Sequence, residues 1–105
     1  MATELDLVIE GGTVIDGTKA PRFDADVGVV GTRIVAVARP GGLAKHAAKR
    51  GMAAPGRIAA PGFIDAHTHD DLALLRRPAM YFKVSQGVTT VVTGNCGISP
   101  APLEA

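Results

Sequence analysis

Apolar and polar residues alternate in short runs over the first part of the chain, and glycine-rich turn residues separate the runs. Residues 26–30 and 33–38 are rich in valine and isoleucine and flank Gly31-Thr32. Glycine readily adopts the positive φ that the first central position of a type II′ turn requires. This segment therefore predicts a two-residue β-hairpin.

A glycine pair near the start of the chain predicts a second hairpin. Gly11-Gly12 separates residues 5–10 from residues 13–16, and such a pair is typical of a two-residue turn. Residues 1–60 are therefore predicted to form a small sheet or half of a β-sandwich. Beyond the hairpins we expect one or two helical turns at 43–50, a loop at 51–56 and a return to the sheet at 58–60.

The pattern changes at Pro61. Residues 62–67 form an apolar run that is typical of a buried strand, and every residue of 88–93 is β-branched, which favours a second strand. The intervening residues predict helical segments, one from Leu72 to Arg77 capped by Asp70 or Asp71, the other from Pro78 to about Gln86 and ended by Gly87. Residues 62–93 thus read as a strand–helix–strand unit with parallel strands.

Composition narrows the function classes. The chain has 105 residues, a net charge of +1 and 47% apolar residues. These values are typical of a globular protein and argue against disorder. They also argue against a nucleic-acid partner, since the basic residues form no extended patch. The one basic cluster is interpreted as solvated surface, and its members are Lys45, His46, Lys49, Arg50 and Arg57.

Cysteine content and hydropathy bear on the compartment. The single cysteine excludes an internal disulfide framework and favours a reducing cytoplasm. No apolar run approaches the ~20 residues of a membrane helix. Glu4 and Asp6 make the amino-terminal segment unlike a signal peptide. We therefore expect a cytoplasmic protein with no membrane partner.

Two histidines end the first buried strand. His67 and His69 are two residues apart, so on an extended strand they share a face, with Cα atoms about 6.6 Å apart. Two imidazoles at this separation can converge on one metal ion. The carboxyl edge of a parallel sheet is also where α/β proteins bind their ligands. The alternative, two surface or capping histidines, remains open from spacing alone.

Other polar residues lie close to this strand end. Asp65 has the same parity as the histidines and can orient an imidazole, or instead bond to the backbone. Asp70 and Asp71 are more simply interpreted as helix caps. Cys96 follows the second strand between Gly94 and Gly97. Because parallel strands end at the same edge, Cys96 is a candidate metal ligand, although a lone cysteine is usually a small buried apolar residue.

These residues resemble a known family. Residues 61–69, PGFIDAHTH, look like the first barrel strand of the amidohydrolase superfamily. HTHDD at 67–71, with SQGVTTVVTGNCGIS at 85–99, resembles the N-acyl-D-amino-acid deacylases, or D-aminoacylases. The resemblance implies an α/β fold, in which residues 1–60 form a β-sandwich segment and residues 61–105 begin a (β/α)₈ catalytic barrel. Such a barrel takes about 250 residues, so we expect the chain to be the front portion of a larger protein.

The resemblance also implies a chemistry. It identifies Cys96 as a zinc ligand, with His67 and His69 as the other metal-site residues. Asp65, Asp70 and Asn95 are candidates for orienting these ligands or contacting the substrate. The implied reaction is zinc-dependent hydrolysis of an N-acyl-D-amino acid, a small-molecule substrate, to a carboxylate and a free D-amino acid. A catalytic aspartate acting as general acid/base is expected beyond Ala105, so we expect the 105-residue chain alone to be inactive.

Two alternatives remain. One is another amidohydrolase activity, hydantoinase-like or dipeptidase-like. The other is a non-catalytic role as a metal-binding or scaffold fragment, against which the presence of His67, His69 and Cys96 argues.

Overall fold

The chain divides between Pro61 and Gly62 into two compact units. The computed structural model describes residues 4–100, so the N-terminal unit is described over 4–61 and the C-terminal unit over 62–100. The elements in chain order are β1 (Leu7–Val14), β2 (Phe23–Val30), β3 (Arg33–Ala38), β4 (Gly51–Ala53), β5 (Ile58–Ala59), β6 (Phe63–Asp65), α1 (Asp71–Arg76), α2 (Tyr81–Val84) and β7 (Val88–Val91). Mixed α/β structure was predicted, and it is confirmed.

The N-terminal unit is built on a five-stranded sheet with the order β3-β2-β1-β4, and β5 also pairs with β1. Strands β1, β2 and β3 pair antiparallel. Strands β4 and β5 run parallel to β1 and pair with successive parts of it, β4 along Val8–Glu10 and β5 along Thr13–Val14. The long strand β1 therefore lies at the centre of the unit.

The hairpin predicted at Gly31-Thr32 is confirmed. Val30 and Arg33 are partners across the turn, and Gly31 has a φ of +56°. Thr32 is not among the described residues with positive φ, which agrees with the type II′ geometry expected for glycine at the first central position.

The hairpin predicted at Gly11-Gly12 is wrong. Both glycines lie inside β1, where the pairing with β2 shifts register between Ile9 and Gly12. Gly11 has a φ of +65°, and its N–H donates to a carboxylate oxygen of Asp26 at 2.9 Å. A bulge and a turn both need a glycine with positive φ. Here the carboxylate from the neighbouring strand decides for the bulge.

The segment from residue 43 to residue 56 also differs from expectation. Residues 43–50 form turns instead of a helix, and they end in a parallel bridge between Leu5 and Ala48. The loop expected at 51–56 contains the strand β4, because the N–H of Val8 donates to the carbonyl of Arg50 at 2.9 Å and pairing continues along β1. The predicted return to the sheet is confirmed by β5.

Small apolar clusters stabilise the N-terminal unit. One consists of Leu5, Val8 and Leu43, and the other of Val14, Ala25 and Val27. Buried among these strands, Asp26 is 2% exposed and accepts the N–H of Gly11. Each cluster buries only a few side chains, as expected for a domain of this size.

The C-terminal unit is the predicted strand–helix–strand arrangement. Strands β6 and β7 pair parallel, with α1 and α2 between them. The helix predicted from Pro78 is shortened to α2, because Met80 adopts a left-handed conformation with φ 46°. Gly87, with φ +84°, ends the segment as predicted. None of the helices within residues 4–100 is long and apolar enough to cross a bilayer.

The prediction that the first strand of this unit is buried is wrong. Phe63 and Ile64 on β6 are 61% and 66% exposed. Within residues 62–100 the sheet contains only β6 and β7, so these apolar side chains have too few neighbours to cover them. A parallel sheet normally has both faces covered.

Candidate metal centre

Three side chains with metal-binding atoms converge at the carboxyl ends of β6 and β7. The donor atoms of His67, His69 and Cys96 all lie within 4.8 Å of one another, and all three side chains are exposed. The imidazole rings lie edge to face, with centroids 6.0 Å apart and planes at 64°. The structure therefore brings together the two histidines and the cysteine that the sequence singled out.

Backbone pairing positions the two loops that carry these residues. Strand β6 ends at Asp65, two residues before His67, and the N–H of Val92 extends the pairing by donating to the carbonyl of Asp65 at 2.8 Å. The chain then turns at Gly94, which has a φ of +75°. Parallel strands that end in register deliver both loops to one edge of the sheet.

A side-chain hydrogen bond ties the two loops together. The Nδ2 atom of Asn95 donates to the carbonyl of Ala66 at 2.7 Å. Ala66 directly precedes His67, and Asn95 directly precedes Cys96. This one bond therefore links the residues that flank two of the candidate ligands.

The donor set fits zinc. Imidazole nitrogen and thiolate sulfur are the ligands zinc prefers, at about 2.0–2.1 Å and 2.3 Å, which puts neighbouring donors of a tetrahedral site about 3.4–3.6 Å apart. The donors of His67, His69 and Cys96 lie within 4.8 Å of one another. Small side-chain rotations close the difference, and exposed side chains are free to make them.

A lysine on α2 binds two aspartates that flank the histidine segment. The Nζ of Lys83 lies 2.6 Å from Oδ2 of Asp65 and 2.9 Å from Oδ2 of Asp70. It also donates to the hydroxyl of Thr68 at 3.3 Å, and that hydroxyl donates to Asp70 at 2.5 Å. We call Asp65, Thr68, Asp70 and Lys83 the lysine cluster.

The lysine cluster stabilises its own charges. Hydrogen bonds from Lys83 and from the backbone N–H of His67 lower the pKa of Asp65. Hydrogen bonds from Thr68 and Lys83 lower the pKa of Asp70, while burial and, to a smaller extent, the charge of Asp65 oppose that shift. The hydrogen bonds to the two carboxylates raise the pKa of Lys83. At neutral pH the cluster therefore holds two carboxylates and one ammonium group.

The aspartates take different partners from those considered in the sequence. Asp65 uses Oδ1 to accept the backbone N–H of His67 at 3.2 Å and Oδ2 to bind Lys83, so the alternative of a backbone bond describes it better than an imidazole contact. Asp70 occupies the N-cap position of α1 but makes no side-chain capping bond. Its Oδ2 atom instead accepts the Thr68 hydroxyl and pairs with Lys83. Asp71 accepts the hydroxyl of Ser99.

Sequence reasoning missed Lys83. It is the one charged residue in an otherwise apolar segment from Met80 to Val84, and that isolation was the available signal. Its two carboxylate partners lie 18 and 13 positions earlier in the sequence. Only the pairing of β6 with β7 brings α2 back over the loop that follows β6.

Comparison with known proteins identifies the family of the chain. A sequence model described as the amidohydrolase family matches residues 50–103. The N-acyl-D-glutamate deacylase of Alcaligenes xylosoxydans xylosoxydans is 57% identical over 102 residues. That alignment covers 97% of this chain and 20% of the relative. The chain therefore spans about one fifth of the length of that protein.

Solved structures of similar proteins are also deacylases of this kind. A D-aminoacylase with a binuclear metal centre superposes with a TM-score of 0.86 at 56% identity, over 96% of this chain and 21% of that one. The N-acyl-D-glutamate deacylase of Bordetella bronchiseptica, solved with zinc and a phosphonate that mimics the tetrahedral intermediate, superposes with a TM-score of 0.85 at 51% identity and the same coverage. With the family match covering half of its residues, the chain belongs to the amidohydrolase family.

Proposed function

We propose that this chain is the N-terminal part of a zinc-dependent amidohydrolase that hydrolyses N-acyl-D-amino acids to a carboxylate and a free D-amino acid. The observation that carries the proposal is the convergence of His67, His69 and Cys96 within 4.8 Å in a chain more than half identical to such deacylases. The exposed Cys96 is a free thiol, and a thiolate ligand suits a reducing compartment, which supports a cytoplasmic location.

Each unit has a proposed place in the larger fold. Residues 1–60 are the N-terminal β-sandwich segment, and residues 61–105 begin the (β/α)₈ catalytic barrel with its first two strands. The parallel pairing of β6 with β7 supports this, because barrel strands are parallel and joined by helices. The exposure of Phe63 and Ile64 also supports it, since strands of a closed barrel are covered on both faces.

The proposed roles of the residues follow from their chemistry. His67, His69 and Cys96 hold the metal, and Asn95 keeps the two ligand loops together through Ala66. Zinc, when bound, supplies Lewis acidity to polarise a water or the scissile carbonyl. The general acid/base is an aspartate expected outside this chain. Asp65 and Asp70, which flank the two histidines in the sequence, are already paired with Lys83.

Metal binding by the chain itself is the first test. Titration with Co²⁺ under reducing conditions reports a thiolate ligand through its charge-transfer absorption. We expect Cys96→Ala to abolish that band and His67→Asn to weaken binding. His46→Asn is the matched control, because His46 is exposed and lies in the N-terminal unit. A band that survives Cys96→Ala would contradict the proposed ligand set.

A chimeric enzyme tests the proposed deacylase activity. A chimera carries residues 1–105 of this chain in place of the matching segment of the A. xylosoxydans N-acyl-D-glutamate deacylase. We expect it to hydrolyse the N-acetyl-D-amino acid, to leave the L-enantiomer intact and to lose turnover on Cys96→Ala. Preference for a hydantoin or a dipeptide would favour the other amidohydrolase activity. A folded, zinc-loaded chimera without turnover would favour a non-catalytic role.

A further inference from the structure

We propose that Lys83 is a positioning residue for the candidate metal centre: it holds the segment from Asp65 to Asp70 in the conformation that presents both histidines to one ion. This inference rests on the proposed function, because it assigns Lys83 a role at that same site. The hydrogen bonds and ion pairs of the Lys83 ammonium go to residues other than the three candidate ligands. Its effect passes through Asp65, Thr68 and Asp70.

The contacts of Lys83 alternate with the candidate ligands along the chain. Residues 65, 68 and 70 meet the ammonium group, and residues 67 and 69 carry the imidazoles. Asp65 also fixes the backbone of His67 by accepting its N–H. One cation therefore restrains the chain before, between and after the histidines, beyond the point where β6 ends at Asp65.

Burial separates this ion pair from an ordinary surface pair. The side chains of Lys83 and Asp70 are 19% and 16% exposed, and Thr68 is 7% exposed. The other described lysine–aspartate pair, Lys49 with Asp6, has side chains 60% and 38% exposed. Exposed pairs contribute little because water screens them. Partly buried pairs with several hydrogen bonds restrain geometry more strongly.

Backbone contacts of α2 fix the position of the Lys83 main chain. Met80 is 7% exposed and left-handed, and its carbonyl accepts the N–H of Lys83 at 2.9 Å. The lysine stem therefore leaves a backbone that is anchored by a buried side chain. A flexible surface lysine would not restrain its partners in this way.

Charge explains why the cation is needed. Without it, Asp65 and Asp70, which both contact the Lys83 ammonium through Oδ2, would be two neighbouring carboxylates that repel each other. The segment between them would then be pushed open, carrying His67 and His69 apart. With Lys83 present, the lysine cluster carries a net charge of −1 instead of −2. By charge alone Lys83 therefore lowers the attraction for a metal cation, so its proposed benefit lies in holding the geometry of the ligands.

The test measures Co²⁺ affinity of the chain through the thiolate absorption band, with circular dichroism recorded on each variant. We expect Lys83→Met to weaken affinity about 10-fold or more, the range seen when partners of metal ligands are removed. Lys83→Arg should recover most of the loss, because a guanidinium group can bind two carboxylates. Lys49→Met is the matched control and should leave affinity within about twofold, since its pair is exposed.

A second variant covers the case in which Lys83→Met unfolds the C-terminal unit. Asp70→Asn keeps the size of the side chain and removes one ion pair. It should weaken affinity less than Lys83→Met. Equal or tighter Co²⁺ binding by folded Lys83→Met or Asp70→Asn would overturn the role of Lys83 while leaving the metal centre intact. Absence of the band in the unaltered chain would overturn the proposed metal centre itself.

Discussion

The N-terminal and C-terminal units bury their apolar residues to different extents. The N-terminal unit buries two apolar clusters around a five-stranded sheet. Within residues 62–100 the only buried apolar side chain is Met80, and most of the large apolar side chains are exposed: Phe63, Ile64, Leu72, Leu74, Leu75, Tyr81, Phe82, Val84, Val92 and Ile98. The C-terminal unit, which carries the candidate metal centre, therefore has the smaller apolar core.

Carboxylates with low solvent exposure also have different roles in the two units. In the N-terminal unit Asp26 bonds to the backbone of Gly11 and fixes the bulge in β1. In the C-terminal unit the carboxylates of Asp65 and Asp70 bond to Lys83 behind the histidines. One carboxylate organises the sheet, and the others organise the candidate site. The contrast shows that local polar bonds can order a site where apolar packing is sparse.

A matched pair of leucine substitutions tests the difference in packing. Leu5 is 2% exposed in the first apolar cluster, whereas Leu75 is 66% exposed on α1. We expect Leu5→Ala to lower the free energy of unfolding of the N-terminal unit by about 2–5 kcal/mol. Leu75→Ala should change stability by about 0.5 kcal/mol or less. Urea denaturation measures both, and equal effects would break the comparison.

A matched pair of aspartate substitutions tests the buried carboxylate. Asp26→Ala removes the acceptor of the Gly11 N–H from a position 2% exposed. We expect a loss of about 1–3 kcal/mol, because a buried donor is left without its partner. Asp24→Ala removes only an exposed hydrogen bond from Thr13 and should change stability by about 0.5 kcal/mol or less. If the two variants unfold at the same urea concentration, the bulge does not depend on Asp26.

Close approach of β6 and β7 predicts a steric effect in the C-terminal unit. A Cβ atom on Gly62 would overlap the side chain of Thr89. We expect Gly62→Ala to destabilise this unit by about 1–3 kcal/mol, since overpacking forces the strands apart. Thr89→Gly in the same chain should restore part of the loss. Amide hydrogen exchange on β7 reports the change, and failure of the second substitution to help would contradict the steric explanation.

The smallest expected effect is on the exposed ion pair of the N-terminal unit. Hydrogen bonds from Lys49 and from the Gly31 N–H lower the pKa of Asp6. Its stabilisation is therefore present above the unfolded pKa of about 3.9 and is lost as pH falls through the lower folded value. Urea midpoints at about pH 6 and pH 2.5 should differ less in Asp6→Asn than in the unaltered chain. Identical pH dependence would show that the pair contributes nothing.

Local signals in the sequence predicted much of the fold. The Gly31-Thr32 hairpin and the parallel strands β6 and β7 follow from turn residues and β-branched runs. The same signals failed at Gly11, because a glycine with positive φ serves a bulge as well as a turn. The strand β4 carried no signal of its own. Its pairing depends on β1, which lies about forty residues earlier.

The candidate site likewise has some features that the sequence indicated and others that only the fold shows. Histidine spacing indicated two candidate donors, the resemblance to the amidohydrolase family added Cys96 as the third, and strand topology placed all three at one edge. The isolated charge of Lys83 in an apolar segment was a signal, but it did not indicate the partners Asp65 and Asp70, since both are distant in sequence. The caps expected at Asp70 and Asp71 were plausible from position alone. In the folded unit Lys83, Thr68 and Ser99 are better partners for those carboxylates.

The sequence by itself determined the strand–helix–strand order of the C-terminal unit, the turn at Gly31 and the identity of the candidate metal-binding side chains. These features depend on backbone preferences and side-chain chemistry within a few residues. Only the tertiary structure decided the bulge at Gly11, the strand β4 and the lysine cluster. Each of these depends on which distant segments meet, since a hydrogen bond or ion pair is satisfied by whatever partner the fold brings within about 3 Å.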